Sequence, residues 1–302
     1  MTAITLELLD RARGCLLGAA VGDAFGAPFN GLPRQPVNAQ VRELRRGRLP
    51  AGHFTTETEA LLEAASRLLA GESVSLATAA AVKSPGGATR SLLARLAGSP
   101  SRADPTPAAA AATADARALL IALPIALACA RDHLCCRSEV RRQLEGASAH
   151  PNCVAGGAVV TLALWHLLHG SPPRQAMQLG LHGCGDVPPT LEAAILQGPG
   201  RLRDQLNNDS LVQPVLESIS WGLIHAASYQ EAVTRVANLG GRAALASALV
   251  GALAGAAFRP SGIPADWRNR LHGTWPSHGG RPWGERDFMD LADRLVQAAG
   301  WE

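Results

Sequence analysis

The chain has 302 residues and a net charge of +3, and 47% of its residues are hydrophobic while 18% are charged. Its length without a linker-like segment favours one domain over residues 1–302, and its abundance of Ala and Leu over aromatic and β-branched residues favours an all-α fold. The basic residues are nearly all Arg, spread along the chain without interleaved aromatics, which argues against nucleic acid as a partner.

Apolar residues recur at helical spacing along the chain, separated by Gly and Pro. The first predicted helix covers residues 6–21 and enters a turn at Gly26; the second covers 57–70, with Thr55 and Thr56 as possible caps. Further helices are predicted at 76–82, 92–96, 114–130, 137–147, 154–169, 173–181, 188–196, 211–226, 229–237, 243–258, 265–271 and 283–299. Residues 98–112 are predicted to form a mobile loop. Because no repeat of fixed period appears, we expect a compact orthogonal multi-helix bundle.

Two of the predicted helices carry small residues at regular spacing. Gly14, Gly18 and Gly22 recur every fourth residue, and Gly251 and Gly255 do the same among alanines. Such stripes let another backbone approach closely, so both helices are expected at the centre of the bundle. The apolar runs 118–130 and 243–258 are too short or too diluted with Gly and Ala for a membrane span, and we interpret them as core helices.

Six cysteines are spread over the first two thirds of the chain: Cys15, Cys129, Cys135, Cys136, Cys153 and Cys184. Without an apolar leader at the start of the sequence, they are typical of reduced thiols, and we expect a cytoplasmic protein. His133 and His150 lie near several of them and invite a zinc interpretation. Their spacing matches no paired ligand motif, so buried cysteines in Ala-rich helices are favoured.

Several segments together resemble one enzyme family. Residues 13–30 read RGCLLGAAVGDAFGAPFN, 52–62 read GHFTTETEALL, 148–151 read SAHP, and 232–256 end in GALAGA, followed by Ile263, Pro264 and Trp267. In this order, over about residues 11–271, they resemble the motifs of the ADP-ribosylglycohydrolase superfamily. The resemblance implies an all-helical fold of that type.

Active members of that family are understood to hold two Mg²⁺ ions between a Thr-Asp-Asp motif and a late Asp-x-Asp-Thr motif. ADP-ribose lies over the metals, and a glutamate is near the attacking water. Hard divalent cations require several anionic oxygens, and Mg²⁺ tolerates little deviation from octahedral geometry. The carboxylates at these positions therefore decide what the resemblance implies for this chain.

Most of the expected carboxylates are replaced here. In the first motif Thr55 keeps its hydroxyl, Thr56 stands at the first acid and Glu57 at the second. The late motif and the glutamate position are occupied by Arg242, Ala243, Ala244, Leu245 and Asn30. One carboxylate and one threonine do not form a two-metal cage, so we expect neither a metal site nor a Mg²⁺ cofactor.

Arg242 puts a permanent cation where the family holds a divalent metal. We hypothesise that it pairs with Glu57; the alternative is that it points to solvent from a helix N-terminus. A guanidinium could also bind a phosphate or carboxylate directly. Candidate contacts of an ADP-ribose-like ligand are Asp23, Asn30, Thr55, Thr56, Glu57, His150 and Arg242. Asp23 could instead bridge backbone amides, and His150 could simply begin the next helix.

Three functions are compatible with these residues. The first is a metal-free pseudoenzyme that binds a protein, such as an ADP-ribosylated one, or an ADP-ribose-related ligand. The second is an active hydrolase with relocated Mg²⁺ ligands, which cleaves an N- or O-glycosidic bond of an ADP-ribosylated protein or small nucleotide. The third is a purely structural protein.

Two further groups of residues have weaker interpretations. His182, Cys184 and Asp186 form a polar group in a Gly-rich segment, without the signature of a nucleophilic triad. The cluster Arg42, Arg45, Arg46 and Arg48 could face a phosphate-bearing ligand or a partner, although such a run is more often a solvated loop.

Overall fold

The computed structural model describes residues 4–74, 114–146, 150–275 and 279–298, and within them the all-α prediction is confirmed. The helices are α1 Leu6–Gly26, α2 Thr56–Leu69, α3 Ala118–Ala128, α4 His133–Gly146, α5 Pro151–Leu168, α6 Pro173–Gly183, α7 Pro189–Leu196, α8 Val212–Ile224, α9 Tyr229–Ala237, α10 Ala243–Gly262, α11 Ala265–Arg270 and α12 Glu285–Gln297. Short 3-10 turns occur at Ala27–Phe29, Val37–Ala39, Gly198–Gly200 and Arg203–Gln205.

A two-stranded antiparallel hairpin was not predicted. Strand β1 is Gly273–Thr274 and strand β2 is Pro282–Trp283, with Gly273 opposite Trp283. The prediction that the last helix begins at Trp283 is therefore wrong. This residue belongs to β2, and the helix starts after Gly284, whose backbone N–H donates to Asp287 Oδ2 at 2.9 Å.

Other helix ends differ from the predictions by a few residues. Helix α1 continues to Gly26, five residues beyond the predicted end at Val21. Helix α10 is assigned to Gly262, with a break at Arg259, whose φ of 66° is left-handed and which directly precedes Pro260. The predicted helices 76–82 and 92–96 and the predicted loop 98–112 lie outside the described residues.

The two glycine stripes pack directly against each other. A Cβ at Gly14 would overlap the carbonyl oxygen of Gly255, and one at Gly18 would overlap that of Gly251. The hydroxyl of Tyr229, a buried residue of α9, donates to the carbonyl of Gly18 at 2.7 Å. The predicted close approach of α1 and α10 is thus confirmed. This contact sets where the C-terminal end of α1 lies relative to the N-terminal end of α10.

The core lies around this helix pair. Helices α5 and α10 are long and apolar enough to cross a membrane by length and composition, but 78% and 83% of their apolar windows are buried inside the protein. This burial is what core helices of a bundle have. The buried helix α3 packs against α2, α4 and α5, which brings its N-terminal flank close to the start of α2.

Candidate functional site

Asp23 connects α1 to the start of α2. It is fully buried in the second half of α1 and accepts four hydrogen bonds from two threonines. The Thr55 N–H and hydroxyl donate at 2.7 Å each, and the Thr58 N–H and hydroxyl donate at 3.1 and 2.6 Å. The carboxyl therefore accepts from amides at the N-terminus of α2 that have no partner within the helix, as one of the interpretations of Asp23 predicts.

Burial raises the pKa of the Asp23 carboxyl to about 7, because desolvation penalises its charged form. The hydrogen bonds from Thr58 and Thr55 act in the opposite direction, and the nearby charge of Glu57 raises the pKa further. The base of the site therefore holds a carboxyl that titrates near neutral pH.

Glu57 lies next to these threonines in the first turn of α2, and only 4% of its side chain is exposed. Arg242 Nη2 donates to Glu57 Oε1 at 3.1 Å, and Arg117 Nε donates to Glu57 Oε2 at 3.2 Å. The predicted pairing of Arg242 with Glu57 is confirmed, and a second guanidinium completes it. Each oxygen of this buried carboxylate thus faces a cation, and the two cations come from segments distant in sequence.

A tight turn holds Arg242 in place. Gly240 and Gly241 have φ values of 72° and 61°, and a Cβ at either would overlap a backbone carbonyl oxygen. The Arg242 N–H donates to the carbonyl of Asn208 at 2.6 Å, and Gly241 exchanges backbone bonds with Gly31 (2.7 Å) and Leu32 (2.9 Å). The side chain of Arg242 therefore leaves a fixed point at the N-terminus of α10 and turns toward α2 instead of solvent.

The other predicted residues are placed less centrally. Asn30 Oδ1 accepts from the N–H of Ala244 at 3.0 Å, so it caps α10. Thr56 is the half-buried first residue of α2. His150 Nδ1 accepts from the Asn152 N–H at 3.1 Å and thereby caps α5. This supports the interpretation that His150 begins a helix, whereas Ser148 of the same motif lies outside the described residues.

Two residues of the site were missed in the sequence. Thr58 was hidden because its role depends on Asp23, a residue of another helix. Arg117 directly precedes the uncharged run of α3, sixty positions from Glu57. A basic residue at the edge of a fully apolar helix, in a chain with a surviving buried acid, is the signal that could have identified it.

Among the described residues, the histidines and cysteines do not assemble into a comparable site. Cys184 is buried with Sγ donating to the Ala155 carbonyl at 3.6 Å, while His182 and Asp186 are exposed. Burial raises the pKa of the Cys184 thiol, which is unfavourable for a nucleophile. The ring of His133 packs edge-on against Trp165, with centroids 5.0 Å apart.

Comparisons with known proteins agree with the fold and the motifs. A family model described as ADP-ribosylglycohydrolase matches residues 5–302. Two relatives are named ADP-ribosylarginine hydrolase Tri1. The one from Pseudomonas putida (strain GB-1) is 26% identical over an alignment of 296 residues, and the match covers 90% of this chain and 76% of the relative. The one from Serratia proteamaculans (strain 568) is 26% identical over an alignment of 292 residues, and the match covers 88% of this chain and 76% of the relative.

A solved structure described as an ADP-ribosylglycohydrolase-related protein complex has the same fold. Its TM-score is 0.74 at 24% sequence identity, and the match covers 98% of this chain and 100% of that chain.

Proposed function

Because the chain belongs to the ADP-ribosylglycohydrolase family, we propose that it is a metal-free pseudoenzyme of that family, which acts by binding a protein or an ADP-ribose-related ligand. Its site keeps the helix arrangement of a hydrolase and replaces divalent cations with arginine side chains.

The observation that supports this function most is the environment of Glu57. This is the only acid left at the family's metal-binding motif positions, and both of its oxygens already bind guanidinium groups, at 3.1 and 3.2 Å. A divalent cation at this carboxylate would have to displace or approach two positive charges, which repel it.

Several other polar groups around Glu57 are also engaged. All four donors of Thr55 and Thr58 point at Asp23, and the amide oxygen of Asn30 caps α10. Mg²⁺ requires several free oxygens in near-octahedral arrangement. The residues present therefore do not fit the metal pair of the family, and we assign no catalytic step to it.

The same groups are suited to bind an anion. Arg242 and Arg117 keep 30% and 25% of their side chains exposed beside the buried Glu57. The donors of Arg242 that Glu57 does not use can donate to a phosphate or carboxylate from outside. This supports an ADP-ribose-like molecule, or a protein that carries one, as the ligand.

Hydrolysis of ADP-ribosylarginine in the presence of Mg²⁺ tests the loss of activity. We expect no release of ADP-ribose above the uncatalysed rate, while an active family member serves as the positive control. Release that depends on Mg²⁺ would overturn the proposal.

An active hydrolase with relocated ligands is the second candidate, and the activity for which the two relatives are named favours it. It differs from the first in one measurable property. Turnover of an N- or O-glycosidic ADP-ribosyl substrate would depend on Mg²⁺ and would be lost in Glu57→Gln, whereas a pseudoenzyme has no turnover for this substitution to remove.

A further inference from the structure

Among the described residues, the loop from residue 34 to 49 and the turn around Arg203 carry arginines without a carboxylate partner. Elsewhere arginines such as Arg13, Arg142 and Arg268 form ion pairs. Within the described part of the chain, no ion pair includes any of the six arginines that we call the arginine face: Arg34, Arg42, Arg45, Arg46, Arg48 and Arg203.

The two segments that carry the arginine face lie next to each other. Asn238 links them: its side chain bonds the N–H and the carbonyl of Val41, at 2.9 Å each. Its own carbonyl accepts from Arg203 Nη2 at 3.0 Å, and the same Nη2 donates to the carbonyl of Gln35 at 2.7 Å. The loop from residue 34 to 49 and the turn around Arg203 are therefore held side by side.

Two guanidinium groups of this face bond to backbone rather than to acids. Arg34 and Arg203 are half-buried and donate to backbone carbonyls, those of Leu206 and Gln35 among them. Burial and then the charge of Arg34 lower the pKa of Arg203. Two adjacent guanidiniums without a bonded carboxylate form a preorganised site for an anionic group of a partner.

Exposed apolar side chains lie on the same face. Leu32, Val37, Leu49 and Leu202 are 42%, 76%, 37% and 65% exposed. Protein interfaces are enriched in arginine and contain apolar side chains, whereas a single-strand nucleic-acid site adds exposed aromatic rings for stacking. The aromatic ring at this face, Phe29, is fully buried beneath Arg45, whose guanidinium lies 4.5 Å from the ring centroid.

We propose that the arginine face binds a partner protein through a surface that combines carboxylates with apolar side chains. The face adjoins the candidate site, because the Gly241 N–H donates to the carbonyl of Leu32 at 2.9 Å, next to Arg242. The inference rests on the binding role proposed above and not on the loss of hydrolysis.

Fluorescence anisotropy with defined probes tests it. The probes are a labelled peptide of Glu-Glu-Leu repeats, a Glu-Glu-Ser peptide of equal length, and oligothymidylate of equal charge, at about 0.1 M salt, where charges are screened beyond about 10 Å. We expect the Glu-Glu-Leu peptide to bind most tightly. Its affinity should fall at least about tenfold in Arg42→Gln/Arg45→Gln/Arg46→Gln/Arg48→Gln, and also when Val37 and Leu49 are changed to Ser.

A matched variant controls for net charge. Arg137, Arg174, Arg286 and Arg294 are exposed and belong to no ion pair of the described residues, so their joint change to Gln removes the same charge elsewhere. We expect this variant to bind the peptide within about twofold of the unmodified chain. Equal weakening in both quadruple variants, or tighter binding of oligothymidylate than of the peptide, would overturn the proposal. ADP-ribosylarginine hydrolysis, measured separately, tests the pseudoenzyme role independently of this result.

Discussion

The chemistry of the site depends on the charge balance around one buried carboxylate. Glu57 is nearly inaccessible to water, and removal of one partner from a buried ion pair is costly because it leaves a charge without compensation. Two partly exposed arginines share this compensation, so each protects against loss of the other.

The effects of replacing these two arginines by Met on the free energy of unfolding should therefore be non-additive. We expect Arg242→Met and Arg117→Met each to lower the free energy of unfolding by about 1 kcal/mol, since both groups are partly solvated. The double variant should lose about 3 kcal/mol or more. Urea unfolding of the four proteins gives the coupling energy.

A third substitution serves as the control for that cycle. Glu57→Gln in the double variant removes the uncompensated charge and should recover stability. Additive single effects, or no recovery with Gln, would show that Arg242 and Arg117 do not act as joint counter-ions.

Asp23 provides a pH-dependent prediction. Its folded pKa of about 7 lies above its ordinary value of 3.8, so the folded protein keeps a proton that the unfolded chain releases. The stability that the protonated carboxyl contributes is fully present below the ordinary pKa of 3.8 and is lost as the pH rises through the folded pKa of about 7. The cost of Asp23→Asn should therefore be largest near pH 4 and shrink toward pH 8, as measured by urea unfolding across this range. A cost independent of pH would contradict the raised pKa.

For individual residues, the sequence predicted those contacts of the site whose residues lie in the matched motifs. The Glu57 and Arg242 pairing followed from a cation at a position where the resemblance implies a metal. Arg117 could not be predicted in the same way, because no local pattern relates the start of α3 to the start of α2. Its role arises only from packing of α3 against α2.

At the scale of elements, the fold depends on backbone contact between α1 and α10. Each carbonyl of Gly14 and Gly255 occupies the space that a Cβ on the other residue would need. A shift of either helix would also move Asp23 near the end of α1 or Arg242 at the start of α10. The packing of the two helices and the geometry of the site are therefore coupled.

Gly255→Ala should lower the free energy of unfolding by about 3 kcal/mol or more, because the added methyl overlaps backbone rather than a flexible side chain. Gly146→Ala is the matched control: it also lies in a helix, and nothing lies within 4 Å of the added Cβ. Its effect should stay within about 0.5 kcal/mol, as for other substitutions away from packed contacts. Equal effects of the two substitutions in thermal unfolding would contradict the close crossing.

The helices themselves were largely predictable, and the exceptions have local causes. Helix α9 has its predicted bounds, Tyr229–Ala237, because Ser228 caps it and a strong apolar face defines it. The hairpin strand at Trp283 was missed, since strands of two residues are too short for an alternating pattern. The predicted helix end at residue 258 agrees with the break at Arg259, whereas the turn that continues to Gly262 was not predicted.

Across the whole molecule, the fold of the hydrolase family can be kept while the residues of its metal site differ. The family match extends from residue 5 to 302, while Thr56, Arg242 and Ala244 stand at positions where the motif resemblance implies acids. A fold can persist when its site changes, because the contact of α1 with α10 is made by backbone atoms, as at Gly14 and Gly255, and does not require a particular side chain at the motif positions.

Reintroduction of the acids should therefore restore metal affinity. We expect Thr56→Asp/Glu57→Asp/Arg242→Asp/Ala244→Asp to be stabilised by Mg²⁺, by about 2.7 kcal/mol at a hundred times the dissociation constant. The unmodified chain should show no such stabilisation. Differential scanning fluorimetry with Mg²⁺, with Na⁺ at equal ionic strength as the control, measures both; a Mg²⁺-dependent shift in the unmodified chain would contradict the replacement of metal ions by arginines.

We propose that cations of the protein take the place of the metal ions, and calorimetric titration with ADP-ribose, with and without Mg²⁺, decides this. We predict the same binding isotherm in both conditions, whatever the affinity, because Arg242 and Arg117 occupy the surroundings of Glu57. Tight binding of ADP-ribose that requires Mg²⁺ would contradict the claim.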